Sequence, residues 1–286
     1  MGILFALGAL VSWGVGDFLI QRSARKFGDG IALFFITFMG MVVLLPFVWH
    51  DIPFLFSSYR SVIILWSASL VLLGAALLDF EALRIGKISV IEPIYAFEVV
   101  VTASLGTLLL KEHLSTLQVC FIATLIAGIT LVGIKKFRLL KSFRLERGVL
   151  LAVGATIMMG AVNFLFGAGA RESGPIIINW FTSTFITVFI GVYITINGEW
   201  HHLYRQWSLN RPLVVAVGFI DNLAWVFFAY STLAIPIAIA TSISEAYVAL
   251  AAILGFWLNR ERLSNHQLIG LVLTVSSTIA LAITLK

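Results

Sequence analysis

"GILFALGALVSWGVGDFLIQRSARKFG", residues 2–28, recurs in a similar form at residues 148–174 as "GVLLAVGATIMMGAVNFLFGAGARESG". Aligned without gaps, the two segments are identical at eleven of 27 positions, and the matches include glycines and an arginine. A second pair of similar segments follows, with "KEHLS" at 111–115 matching "RERLS" at 260–264. The sequence therefore predicts two homologous halves.

The composition places both halves in a membrane. Hydrophobic residues make up 60% of the chain, charged residues only 12%, and the mean hydropathy is +1.03, whereas soluble domains carry about 25% charged residues. Apolar runs of about 20 residues are long enough to span a bilayer as helices. We predict an all-α membrane protein with ten transmembrane helices, at residues 2–20, 30–49, 61–83, 88–110, 116–134, 147–170, 175–196, 212–232, 236–258 and 265–285. The predicted domains are a first five-helix repeat (1–134), a basic linker (135–147) and a second five-helix repeat (148–286).

The number of helices in each half predicts the relation between the halves. Five is odd, so the second half must cross the membrane in the opposite direction to the first. Inverted repeats of this kind are typical of secondary transporters, whose binding sites lie near the middle of the membrane between the repeats. The alternative is that duplication only builds a stable helical bundle. We favour transport because an inverted repeat supplies two mirror-related conformations of similar energy.

Basic residues predict the orientation of the chain. The net charge is +5, but Lys and Arg lie at the ends of the predicted helices and not on one organised face, so we do not expect nucleic-acid binding. Most of them fall in alternate connections that include the linker 135–147. The positive-inside rule then predicts a cytoplasmic linker and both termini outside. We expect a multi-pass protein of the bacterial or archaeal cell membrane.

Acidic residues are the most informative feature of the predicted spans. Ionisable groups at membrane depth are costly and usually face a cavity or a partner. The spans contain seven acids, whereas their interiors contain no Lys or Arg. These acids are Asp17, Asp79, Glu81, Glu92, Glu98, Asp221 and Glu245. The imbalance indicates sites that hold protons or attract cations.

Depth separates these acids into groups. Glu98, Asp221 and Glu245 each lie about ten residues from both ends of a predicted helix, and so near the midplane. We expect them to bind substrate or a proton; the alternative is that they only hydrogen-bond between helices. Asp79 and Glu81 end the third predicted helix close to basic residues, and we expect them to form interfacial ion pairs.

Other candidate residues share helical faces with the midplane acids. At 100° per residue, Glu92 and Tyr95 lie on the face of Glu98. Asn222 and Trp225 lie on the face of Asp221. The aromatic pair Tyr95 and Trp225 could form a cation–π wall.

Three further residues are candidates by position. Asp17 and Asn163 coincide in the repeat alignment, and a cavity role is an option for both. Pro93 interrupts the hydrogen-bond ladder of its predicted helix. We interpret Glu92 as a gate and Pro93 as a hinge, with ordinary packing as the alternative for the proline.

Three motifs carry a family resemblance that covers both halves. "SWG" (12–14) lies in the first predicted helix, and "KEHLS" (111–115) and "NRERLS" (259–264) each connect an apolar helix to the next. With these motifs the sequence resembles the drug/metabolite transporter superfamily, in its EamA-like branch of ten-helix proteins. The resemblance implies a transporter, on a scaffold that carries amino acids, nucleotide-linked sugars or drugs.

The sequence departs from the family pattern at one position. Family repeats often carry a Glu-Pro pair about thirteen residues before the motif glutamate. Here Glu98 and Val99 occupy those positions in the first half, and Tyr247 and Val248 occupy them in the second. The glutamate is thus kept in one half only. The resemblance also implies cytoplasmic termini, as in many relatives, whereas the charges of this chain indicate the reverse.

We predict a secondary active transporter that moves a small polar metabolite or organic cation by alternating access, in which a proton could compete for the same acid and give antiport. The alternatives are a passive channel, a lipid-handling membrane subunit and, less favoured, a membrane-embedded enzyme. The sequence contains no Walker loop, no H-E-x-x-H and no G-x-S-x-G motif. We therefore expect no enzymatic activity, no cofactor and no metal site, and we leave the oligomeric state open.

Overall fold

The computed structural model describes residues 1–55, 58–85, 94–134, 148–250 and 264–284. These residues form helices, turns and connections, with no β-strand in the described ranges. Within the described ranges, ten α-helices follow in chain order: α1 (Gly2–Phe27), α2 (Asp29–Val48), α3 (Tyr59–Ile85), α4 (Glu98–Leu109), α5 (Thr116–Gly133), α6 (Val149–Ser173), α7 (Pro175–Asn197), α8 (Trp200–Ala234), α9 (Ile237–Glu245) and α10 (Asn265–Ile283). A short 3₁₀ helix, Ile52–Phe54, precedes α3.

The helices confirm an all-α membrane protein. Eight of them, all except α4 and α9, are long and apolar enough to cross a membrane. The two exceptions are shorter apolar helices within the predicted spans 88–110 and 236–258. Two long helices also exceed their predictions: α1 continues to Phe27, and α8 begins at Trp200, ahead of a kink at Asn210.

The predicted spans 88–110 and 236–258 are not continuous helices in the described residues. Phe97 donates its N–H to the carbonyl of Ile94 at 3.1 Å, and Ala246 donates to Ile243 at 3.3 Å. Hydrogen bonds over three residues tighten the backbone and interrupt an α-helix. Because the two halves align at an offset of 149 residues here, the two interruptions fall at equivalent positions. Glu98 is the first residue after one of them, and Glu245 is the last residue before the other.

Repeated sequence features explain where the helices begin and end. Gly28 and Gly174, which match in the repeat alignment, have φ values of 84° and 109°. Glycine adopts positive φ without steric cost, so each separates two consecutive helices. The N–H of Ser115 donates to Oε1 of Gln118 at 2.9 Å at the start of α5. At the start of α10, the N–H of Ser264 donates to Oε1 of Gln267 at 3.0 Å.

Helices of one half pack against helices of the other. The most extensive contacts join α1 with α8, α3 with α6, α5 with α10 and α2 with α7. Small residues permit the closest approach: a Cβ atom at Gly270 would lie 2.7 Å from the carbonyl oxygen of Gly128. The core is therefore shared, and it lies between the two halves.

Contacts at one end of the bundle define what we call the N-terminal side. A Cβ atom at Gly2 would lie 2.9 Å from Ala234, so α1 begins where α8 ends. Arg171, near the end of α6, donates to the carbonyls of Thr232 and Ile235 at 2.8 and 3.1 Å. We call the opposite end, where α5 ends and α6 begins, the linker side.

Candidate functional site

A pocket of about 460 Å³ is lined by residues from both halves. This volume lies within the range of small-molecule sites, about 300–1,000 Å³. Seven residues singled out in the sequence line it together: Tyr95, Glu98, Asn163, Asp221, Asn222, Trp225 and Glu245. Asp17 lies on α1, but its side chain is outside the described part of the chain, and so are Glu92 and Pro93.

The pocket is strongly acidic. Four carboxyl groups line it, those of Asp79, Glu98, Asp221 and Glu245, and no Lys, Arg or His is among its described lining residues. A low-dielectric site with charges of one sign attracts ligands of the opposite sign. The described residues contain no group of three or more His, Cys, Asp or Glu side chains suited to hold a metal ion. The charges of the described lining residues are therefore complementary to a positive charge.

Asp221 is a buried carboxylate that has no partner among the described residues. It lies on α8, is 9% exposed and faces the pocket. No side chain or backbone group of the described residues hydrogen-bonds to it or pairs with it. A buried charge without a partner is costly, and such a group is typical of a binding site that a ligand completes. Asn163, which is 2% exposed, likewise has no hydrogen-bond partner among the described residues.

Glu98 and Glu245 form a second acidic site at the two helix interruptions. Each is 6% exposed, and their side chains approach each other within hydrogen-bonding reach. Two carboxyl groups can hydrogen-bond to each other only if one of them carries a proton, because a carboxylate is an acceptor only. This pair can therefore hold one proton between two residues from different halves.

The pocket amides on α7 and α8 mainly hold helices together. Asn222 donates to the carbonyls of Ile36 and Gly218 at 2.9 and 2.7 Å, and it connects α8 to α2. Asn179 donates to the carbonyl of Trp225 on α8 at 3.4 Å and to that of Pro175 in its own helix at 2.7 Å. These bonds use the amide donors, so Asn222 forms a fixed wall of the pocket.

Aromatic rings form one wall of the pocket. Trp225 lies 5.2 Å from Trp13 in an edge-on arrangement and 4.5 Å from Phe166, measured between ring centroids. Trp13 and Phe166 were not among the sequence candidates. Their apolar surroundings resemble those of any core aromatic, and only "SWG" gave a signal for Trp13. Aromatic faces attract cations and pack against apolar groups.

Asp79, for which we expected an interfacial ion pair, also lines the pocket; the side chains of the nearby basic residues Arg84 and Lys87 lie outside the described part of the chain. Its side chain interacts with that of Tyr95, which lies just before the first helix interruption. Leu72 and Ala76, seven and three residues earlier on α3, line the same pocket. That spacing is the face of a helix, so the sequence held a signal for this position.

The lining residues indicate the direction in which the pocket extends. On the linker side they include Gly133, the last residue of α5, and Gln267, the third residue of α10. On the N-terminal side the lining residue closest to a helix end is Asn179, four residues after the start of α7. The pocket therefore extends from the middle of the bundle towards the linker side.

Comparisons with known proteins bear on the class of protein. A family model described as the EamA-like transporter family matches residues 1–134 and 146–283. One solved crystal structure, whose title names no function, superposes with a TM-score of 0.75 at 13% identity, over 99% of this chain and 96% of that chain. At this identity the likeness concerns the fold alone. No curated protein matches the sequence.

Proposed function

Because the chain belongs to the EamA-like transporter family, we propose that it is a secondary active transporter for a small polar metabolite or organic cation. The observation that carries this proposal is Asp221, a carboxylate without a described partner in a pocket that has four acids and no described basic residue. A cation entering this pocket would gain a charge-assisted bond, whereas an anion would meet repulsion. We therefore favour the organic cation over a neutral or anionic metabolite.

The aromatic wall narrows the substrate class. Trp13, Phe166 and Trp225 together present ring faces and edges to a pocket that also contains Asp221. A quaternary or alkylated ammonium group gains from both features, since a cation over an aromatic ring is stabilised by about 0.5–2 kcal/mol. A small inorganic cation would gain little from these rings. We infer a substrate with a compact ammonium group and an apolar body.

Alternating access is supported by the way the halves are arranged. The aligned helices α1 and α6 run in opposite directions, because α1 begins and α6 ends on the N-terminal side. The helix interruptions at Phe97 and Ala246 fall at equivalent positions of the two halves. Discontinuous helices around a central site are typical of transporters built from inverted repeats. We propose ten crossings in two inverted repeats, with the 135–147 linker in the cytoplasm.

Proton coupling is proposed for the pair of Glu98 and Glu245. When the pair shares one proton, the pocket has one negative charge fewer than when both are carboxylates. A proton and a cationic substrate therefore compete for the same negative charge, and competition of this kind couples their movements in opposite directions. Antiport follows if the carrier switches between its two open states only when either a proton or a substrate molecule is bound.

The experiment that tests the proposal compares choline with 3,3-dimethyl-1-butanol, its neutral isostere. In proteoliposomes we expect labelled choline to show saturable counterflow. Excess unlabelled choline should accelerate this counterflow, and the neutral isostere should not affect it. The pair differs in charge and hardly in shape, so it isolates the acidic pocket. Equal effects of the two compounds would contradict the cation preference, and flux that does not saturate would indicate a channel instead of a carrier.

A further inference from the structure

A partly buried ion pair on the N-terminal side of the pocket is not explained by substrate binding. Oε1 of Glu112 lies 2.7 Å from Nη1 of Arg171, and the Glu112 side chain is 9% exposed, whereas that of Arg171 is 33% exposed. Glu112 belongs to "KEHLS", directly after α4, whereas Arg171 lies near the end of α6. The pair therefore joins the first half to the second.

Glu112 also holds the start of α9. Both of its carboxylate oxygens accept the backbone N–H of Ile237, at 3.1 and 3.0 Å. Ile237 is the first residue of α9 and follows Pro236, which has no N–H to donate. A carboxylate at this position satisfies an N–H that the helix leaves free and favours the positive end of the helix dipole.

Arg171 extends the same network to the end of α8. Its Nε donates to the carbonyl of Thr232 at 2.8 Å and its Nη2 to that of Ile235 at 3.1 Å. One guanidinium thus fixes the last turn of α8, while its carboxylate partner fixes the first turn of α9. The segment between these helices cannot move away from α6 without breaking charged hydrogen bonds.

Local backbone geometry is adapted to this arrangement. Lys111 has a φ of 54°, which is rare for a residue other than glycine, and it turns the chain so that Glu112 points inwards. The N–H of Glu112 donates to the carbonyl of Gly106 at 3.1 Å. A Cβ atom at Gly106 would lie 2.9 Å from Oε2 of Glu112, so a larger residue there would displace the carboxylate.

The network lies beyond the pocket, on the side away from the one towards which the pocket extends. Along α8, Thr232 is seven residues past the lining residue Trp225, about 10 Å at 1.5 Å per residue. Along α9, Ile237 is eight residues before the lining residue Glu245, about 12 Å. Along α8 and α9, the network therefore lies between the pocket and the N-terminal side.

We propose that Glu112 and Arg171 are positioning residues that lock the start of α9 against α6 and α8, and that their ion pair must break for the pocket to open towards the N-terminal side. The pair is suited to this role because removing Arg171 leaves the buried carboxylate of Glu112 without its charged partner, and removing Glu112 leaves the N–H of Ile237 without its acceptor. The inference rests on the proposed carrier function in one respect only, because an alternating-access carrier needs a second state that is open towards the N-terminal side. Its test therefore measures access and not transport.

The experiment uses a single reporter cysteine. Cys120 is exposed and is first replaced by Ser. Ser183→Cys then places a thiol of similar shape in the lining of the pocket. In vesicles, a membrane-impermeant maleimide is added from the side on which a separate Asp51→Cys variant reacts, because Asp51 is exposed on the N-terminal side. The rate of labelling of the pocket cysteine reports how often that side opens.

We expect Glu112→Gln and Arg171→Gln each to raise this labelling rate by about tenfold or more, which corresponds to a shift of about 1.4 kcal/mol towards the open state. The matched control is Glu172→Gln. Glu172 is the next residue on the same side, and its contact with Arg60 is a looser one of 3.6 Å between side chains that are 28% and 68% exposed. We expect this variant to leave the rate unchanged.

Unchanged labelling in folded Glu112→Gln and Arg171→Gln, or an equal rise in Glu172→Gln, would overturn the proposal. If neither Gln variant folds, Arg171→Lys keeps the charge but loses the planar fork that reaches two carbonyls, and a raised rate is again expected. Because no substrate is added, a failure of choline counterflow leaves this result intact, and the two proposals can fail separately.

Discussion

Replacement of Asp221 by asparagine tests whether the unpartnered carboxylate binds the substrate. Asn has nearly the same shape but no charge, so it removes the charge-assisted contact while preserving the wall of the pocket. Hydrogen bonds to charged groups contribute about 1.5–3 kcal/mol, which predicts an affinity for a cationic ligand about ten- to a hundredfold weaker. At a ligand concentration of about 100 times the wild-type Kd, stabilisation by binding is about 2.7 kcal/mol, and a thirtyfold loss of affinity reduces it to about 0.9 kcal/mol.

The assay is thermal unfolding of the purified protein with and without ligand. Asp221 has no described partner and is 9% exposed, so we expect Asp221→Asn to leave the unliganded melting temperature unchanged or to raise it. The ligand-induced increase should fall to about a third. Asp51→Asn makes the same chemical change at an exposed acid and should keep the full increase. A lower melting temperature without ligand, together with an intact ligand-induced increase, would show that Asp221 serves structure and not binding.

Three further predictions concern the wall, the packing and the orientation. Trp225→Leu should weaken binding of a quaternary ammonium ligand by about 0.5–2 kcal/mol in the same assay, whereas Trp49→Leu, at a 63% exposed site, should not. Gly270→Ala should destabilise the protein by about 1–3 kcal/mol, because its Cβ would meet backbone atoms of α5 at 2.7 Å; Gly30→Ala, with no atom within 4 Å, is the control in thermal unfolding. A cysteine placed in the linker 135–147 should react with an impermeant reagent only from the cytoplasmic side, and reaction from outside would reverse the predicted orientation.

Apolar run length predicted most of the fold. Eight helices long enough to span lie where the apolar runs are, because burial in lipid requires about 20 consecutive apolar residues. The boundaries were less predictable. α1 continues to Phe27 because Arg25 and Lys26, in its last turn, remain compatible with a helix that leaves the apolar core. The interruptions at Phe97 and Ala246 lie inside the predicted spans 88–110 and 236–258, and the length of the apolar runs does not locate them.

Depth and helical angle predicted much of the composition of the pocket. Glu98, Asp221 and Glu245 line it together, as expected of costly groups near the centre of their spans, and their roles stay predictions. Asp79 also lines it, a position that the basic residues near it in the sequence did not indicate. The ion pair of Glu112 and Arg171 could not be inferred, since it depends on how two halves dock and not on any local pattern.

A last prediction concerns which member of the pair Glu98 and Glu245 carries the shared proton. Glu98 begins α4, where the helix dipole favours negative charge, and Glu245 ends α9, where it does not. In the shared-proton state, Glu245 should therefore be the hydrogen-bond donor and Glu98 the acceptor. Glu245→Gln would mimic that state and keep cation binding within a few-fold, while uptake driven by a pH gradient is lost. Glu98→Gln would remove the negative charge that the pair keeps when it shares one proton. We expect cation binding to weaken by about tenfold or more, a loss of about 1.4 kcal/mol of binding free energy. Ligand-induced thermal shifts and gradient-driven uptake separate the two variants, and greater loss of binding in Glu245→Gln would refute this assignment of the proton.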